Sequence, residues 1–160
     1  MDTDFRRERR KQRRYEQIDT DKPRCPDCPE TDWRCFTATS MPRCANCAIK
    51  ARRPGNNAAK SRCLRELGSD NPCCAMCGES DWRCIELHHI AGRRHDRLTV
   101  LICANDHLRV SDDQKDHPSM SLDIDPFIAR LSSFLRGLAD ALFAIAERLI
   151  KFADELLGHG

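Results

Sequence analysis

Eleven cysteines and six histidines are the side chains of this sequence best suited to chemistry, and most of them fall at short, regular spacings. Cys25 and Cys28 form one CxxC pair, and Cys44 and Cys47 form a second. Zinc takes four tetrahedral ligands, and two CxxC turns brought together supply four thiolates with no open position. The pattern points to a structural zinc site. Cys35 reads as a buried strand residue, not a ligand. Cys74 and Cys77 open a second site whose completion lies near Cys103. A second CxxC would need cysteine at position 106, where Asp106 stands. A carboxylate also ligates zinc, so Cys74, Cys77, Cys103 and Asp106 make one candidate set. His107 as fourth ligand, recruitment of nearby Cys73, and no zinc in this half are the other readings.

The chain repeats itself around these pairs. Cys25-Pro-Asp-Cys28-Pro-Glu-Thr-Asp-Trp33-Arg-Cys35 returns as Cys74-Ala-Met-Cys77-Gly-Glu-Ser-Asp-Trp82-Arg-Cys84. Two zinc knuckles of shared design are expected, each with a CxxC turn and a tryptophan-bearing strand beside it. Residues 1–22 form a basic arm, 23–50 the first zinc knuckle or ribbon, and 51–70 a linker with a short helix from Ala58 to Leu67. Residues 71–118 form the second module and 119–160 a long amphipathic helix. The fold class expected is small α+β modules stabilised by zinc. In the second module, Trp82 to Leu87 reads as a strand and Leu98 to Ile102 as a returning strand or turn. A short helix follows Cys103, giving a β-hairpin followed by a helix.

This second module resembles the HNH endonuclease family, whose fold is the ββα-metal motif. The resemblance covers about residues 72–118. It rests on Cys74-Ala-Met-Cys77-Gly78, the string Glu86-Leu-His88-His89-Ile-Ala-Gly92, the apolar approach to Cys103, His107, and Ser111 to Gln114. It implies a catalytic site in which His88 and His107 hold a divalent cation such as magnesium or manganese. His89 would then be the general base that activates water against a phosphodiester. It also implies that Arg93 and Arg94, with Arg97 nearby, contact flanking phosphates. Two departures stand out: Leu98 lies about where the family has its middle asparagine, and Asp106 replaces a cysteine. They keep open a second reading, a non-catalytic zinc-binding nucleic-acid adaptor derived from the same fold.

The remaining composition fits small modules with a polyanionic partner. The chain has 160 residues, 32% of them charged and only 6% aromatic, too few large apolar side chains for one generous core. Net charge is only +2, yet Arg6, Arg7, Arg9, Arg10, Lys11, Arg13 and Arg14 crowd the N-terminal arm with Glu8 as the one acid among them. A polyanionic partner is expected, and the family resemblance implies DNA, with RNA also open. The N-terminus lacks a secretory pattern, so a reducing cytoplasm is expected, where CxxC pairs hold metal more often than they form disulfides. From Ile128 the apolar residues Leu131, Leu135, Leu138, Leu142, Ile145, Leu149, Phe152 and Leu156 step by three and four, a heptad seam of coiled-coil type. Residues 128–156 are expected to meet a second copy or another protein. Charges along that stretch argue against a transmembrane segment.

Overall fold

The computed structural model describes residues 23–53, 55–90, 92, 97–115, 117 and 123–158. The arm residues Arg6, Arg7, Arg9, Arg10, Lys11, Arg13 and Arg14, together with Arg93 and Arg94, lie outside that set.

The helices are α1 (Ala45–Arg52), α2 (Asn57–Leu67), α3 (Ala104–Gln114) and α4 (Pro126–Leu156), and one hairpin joins β1 (Ile85–His89) to β2 (Thr99–Cys103). The hairpin is antiparallel, with Ile85 opposite Cys103 and His89 opposite Thr99. Strand alternation puts Glu86 and His88 on one face of β1. That face lies beside α3, which begins directly at the end of β2. The expected hairpin-then-helix order is present.

The two tryptophan segments differ from expectation. Trp33–Cys35 and Trp82–Cys84 are single 3-10 turns, so β1 begins only at Ile85 and Cys35 is a buried turn residue. The cause is the Asp before each tryptophan. Asp32 accepts from the Arg34 N–H at 2.9 Å, and Asp81 accepts from the Arg83 N–H at 3.0 Å. Each carboxylate also clasps the guanidinium of the same arginine. Such local side-chain bonds offer the backbone a turn in place of a strand ladder.

The two repeats pack reciprocally. The Asn46 N–H donates to Asn105 Oδ1 at 3.0 Å, and the Asn105 N–H donates to Asn46 Oδ1 at 3.0 Å. The first repeat's 3-10 turn packs on α3 of the second, and the second repeat's 3-10 turn packs on α1 of the first. Glu30 of the first repeat binds Arg109 on α3, while Glu79 of the second binds Lys50 on α1. Each partner meets the other's equivalent surface, as in a contact between two copies about a twofold axis.

The apolar interior is slight. One cluster holds Cys25, Cys35 and Cys44; the other holds Cys74, Met76, Ile85, Ile102, Cys103 and Val110. Cysteines are all three residues of the first and two of the six of the second, so neither cluster supplies much ordinary core volume. Helix α4 adds Ala141, Ala144 and Ile145 to the second cluster. Asp125 caps it by accepting from the N–H groups of Phe127 and Ile128, and Pro126 occupies its first position. Gly137 lies against the Ile90 carbonyl so closely that a Cβ there would stand 1.7 Å from the oxygen. His117 Nε2 lies 2.7 Å from Asp140 Oδ2 of α4. No described helix is long and apolar enough to cross a membrane.

Candidate metal centres and histidine cluster

In the first repeat, the CxxC turn holds Cys25 and Cys28. Cys44 caps the N-terminus of α1 and Cys47 sits in its first turn. The sulfurs of Cys25, Cys28, Cys44 and Cys47 lie within 4.8 Å of one another. Zn–S bonds of ~2.3 Å at tetrahedral angles separate sulfurs by ~3.8 Å. Cys28 and Cys44 stand 3.6 Å apart. In the second repeat Cys74, Cys77, Cys103 and Asp106 form the matching group. Cys77 and Cys103 stand 3.7 Å apart there. All eleven cysteines are free thiols, so neither group is spent on a disulfide.

The protonation pattern fits a donor set awaiting a cation. Burial opposes ionisation of Cys25, but N–H donation from Cys44 and Asp27 outweighs it and brings the thiol down to about 7. Burial pushes its neighbour Cys28 up to about 11. In the second group, donation from the Cys103 and Cys77 thiols draws Cys74 far down, while Cys74, Cys77 and burial hold Cys103 far up. Crowded thiols ionise unequally because they cannot all carry charge alone. A divalent ion displaces those protons and lets all of them ligate. Cys35 and Cys84 join neither group; burial raises both thiols, Cys84 to about 12.

Asp106 completes the second centre, and its geometry explains how. The residue is 1% exposed in the first turn of α3. Its Oδ2 faces the Cys74 and Cys103 sulfurs at 3.1 and 3.3 Å. Its Oδ1 accepts from Arg109 Nη1 at 2.7 Å and from Arg148 Nη2 of α4 at 3.0 Å. The other two readings of the fourth ligand do not match this arrangement. Cys73 is exposed, with its sulfur against the Cys74 carbonyl, and His107 turns its Nδ1 to Glu86. The repeat itself supports Asp106 beyond the CxxC spacing: Cys44-Ala-Asn-Cys47 returns as Cys103-Ala-Asn-Asp106. The repeat therefore extends through both halves of each centre.

The histidines occupy a separate place. They belong to the hairpin that lies between Cys84 and Cys103, where the first repeat has only the short segment between Cys35 and Cys44. The rings of His88 and His107 meet edge to face with centroids 5.0 Å apart. His107 Nδ1 lies 2.5 Å from Glu86 Oε2, and His107 in turn holds the Glu86 carboxyl below its usual range. His88 is 5% exposed, and burial, with His107 and His89 nearby, pushes it down to about 4. Gln114 Nε2 donates to the Ile90 carbonyl at 2.9 Å and lies 3.2 Å from His88 Nε2. The Ile90 bond fixes the amide's orientation, so His88 Nε2 is the acceptor and Nδ1 bears the hydrogen. His89 is half-buried at the end of β1.

These facts decide what could hold a catalytic cation. His107 fits: a carboxylate on Nδ1 orients the ring and leaves Nε2 as the ligating nitrogen. His88 does not fit as placed, because the Gln114 amide takes its Nε2 lone pair. Among the described residues, the two groups of three or more close-set ligands are the metal centres above, and neither contains a histidine. A cleft of about 620 Å³ opens between the centres, lined by Cys28, Cys47, Cys77 and Asp106 but by none of the three histidines.

Compared with known protein families, with curated proteins and with solved structures, the chain matches none of them.

Proposed function

We propose that this chain is a metal-dependent endonuclease of the HNH kind, hydrolysing phosphodiester bonds in DNA, with residues 85–114 as its ββα unit. The observation behind this reading is the convergence of His88 and His107 across the hairpin and α3, with His89 one residue on. His89 acts as general base, since imidazole exchanges protons near neutral pH. Glu86 orients His107 through Nδ1. A divalent cation, magnesium or manganese, held by His107 and by His88 once Gln114 turns aside, would supply positive charge at the scissile phosphate. The basic arm and the arginines Arg93 and Arg94 grip flanking phosphates, a contact that weakens steeply with salt. The thiol-rich zinc centres suit the reducing cytoplasm.

Helix α4 is the surface for a second copy. Phe127, Ile128, Leu131, Leu135, Leu142, Phe143, Leu149, Ile150, Phe152 and Leu156 on it are 42–72% exposed. Ten such side chains per copy supply an interface on the order of the ~800 Å² per partner found in stable complexes. Ala139, Ala146 and Ala153, seven residues apart, let two identical helices approach closely.

Plasmid cleavage with magnesium or manganese tests the enzyme reading. Wild type should nick and His89→Ala should not, and a labelled RNA substrate in parallel tells the two nucleic acids apart. Equal cutting by both proteins removes His89 from the mechanism. The burial of His88 and its bond to Gln114 favour a second reading, the non-catalytic zinc-binding adaptor. Retained DNA binding with no cutting by either protein would support that one.

A further inference from the structure

Asp106 uses both of its oxygens, and it uses them on different partners. Oδ2 points into the second metal centre, while Oδ1 is held by Arg109 and by Arg148. Arg109 is itself tied to Glu30 at 2.6 Å and to Asp32 at 3.0 Å in the first repeat. Arg148 belongs to α4. One buried carboxylate therefore connects the metal centre, the first repeat and the C-terminal helix.

We infer that Arg109 and Arg148 are positioning residues of the second metal centre, so that zinc binding there and docking of α4 are one linked equilibrium. The inference rests on the zinc reading of that centre and is independent of nuclease activity. Its physical basis is what a carboxylate has and a thiolate lacks. A thiolate offers one ligating atom and no second one. A carboxylate offers a second oxygen that can be anchored, and anchoring it leaves Oδ2 alone for the metal. Three thiolates and a carboxylate around a divalent ion carry a net charge of about −2, as four thiolates would, and Arg109 and Arg148 lie against the carboxylate end of it, Arg109 being shared with Glu30 and Asp32.

The first repeat supplies an internal comparison. Cys47 stands where Asp106 stands, and the residue three positions after it is Lys50, as Arg109 is three after Asp106. Lys50 turns to Glu79 at 2.5 Å instead of to its own centre. Among the described residues, the carboxylate link to α4 belongs to the second centre. Linkage is reciprocal: whatever factor Arg148 adds to zinc affinity, zinc returns to the docking of α4.

The test uses the full chain and competition with a chromogenic chelator, which reads the two centres as two classes of zinc. Arg148→Met keeps the apolar stem and removes the charge. Because the Arg148 side chain is 36% exposed, the variant should fold. Removing an outer partner of a metal ligand weakens binding roughly 10–100-fold. That loss is expected in one zinc class only, with the other unchanged. In an Asp106→Cys background the same Arg148→Met change should alter neither class. Hydrogen exchange supplies the reverse direction: a Cys103→Ser chain, lacking zinc in the second centre, should show deprotected amides in α4 while those of α1 stay protected. The inference is overturned if Arg148→Met leaves both zinc affinities within twofold. It is equally overturned if α4 stays protected after the second zinc is removed, or if only one zinc binds.

Discussion

Replacing Gly137 by alanine should undock the C-terminal helix from the hairpin even though alanine favours helix. The added Cβ would lie 1.7 Å from the Ile90 oxygen and 2.7 Å from its carbonyl carbon. Ordinary carbon–oxygen contact begins near ~3.3 Å, so helix and hairpin must part by about 1.6 Å at this crossing. The obstacle is backbone, which no rotamer change can clear. The Ile90 carbonyl is also already fixed by Gln114. Overpacking costs ~1–3 kcal/mol, toward the upper end where backbone resists. Exchange of glycine for alanine within a helix returns up to ~1 kcal/mol. The net loss is about 1–2 kcal/mol, which lowers Tm by roughly 3–8 °C. Thermal unfolding of the zinc-saturated chain by circular dichroism measures this. Gly55→Ala, where a Cβ meets nothing within 4 Å, serves as control. A Tm for Gly137→Ala equal to or above wild type would refute the reasoning, since helix propensity alone would then govern the site.

Further outcomes follow from the same contacts. Asn46→Ala and Asn105→Ala each strand a buried N–H, and each should cost ~1–3 kcal/mol in denaturant unfolding. Each substitution removes a different bond, because the backbone N–H of one residue meets the side-chain oxygen of the other, so the double variant should cost about the sum of the two, and a loss from Asn46→Ala that vanishes in the Asn105→Ala background would contradict two separate bonds. For His88, the unfolded imidazole titrates near 6.5 and the folded one near 4, so the unfolded chain takes up the proton first as pH falls. Its contribution to stability is present above about 6.5 and declines as pH falls toward 4. The stability difference between wild type and His88→Phe should therefore vary across that window and level off outside it; a pH-independent difference would contradict the buried neutral state. Chelation of zinc should abolish cooperative unfolding of both repeats, because both cores are small and are built around the cysteines that would ligate the metal.

Much of the scaffold was legible because metal ligation needs fixed spacings. The CxxC pairs and the repeated Asp-Trp-Arg-Cys strings located both centres, and the heptad steps located α4. The tryptophan segments misled, because a half-buried apolar run looks like a strand until the Asp cap is considered. What holds Asp106 as a ligand does not show locally, since its support comes from Arg109, three residues on, and from Arg148, forty-two residues on. The reciprocal Asn46–Asn105 contact and the Gly137 crossing are tertiary matters that no local pattern announces. The same holds for Gln114: its place near the end of α3 was visible, while its bond to His88 depends on the hairpin folding back.

The most direct test of the account is the zinc content of the intact chain by native mass spectrometry. Two zinc ions per chain are predicted, falling to one in Cys44→Ser and to one in Cys103→Ser. In each case the surviving ion belongs to the other repeat. A single zinc in wild type, or both ions lost together in either variant, would contradict two interlocked but separately ligated centres.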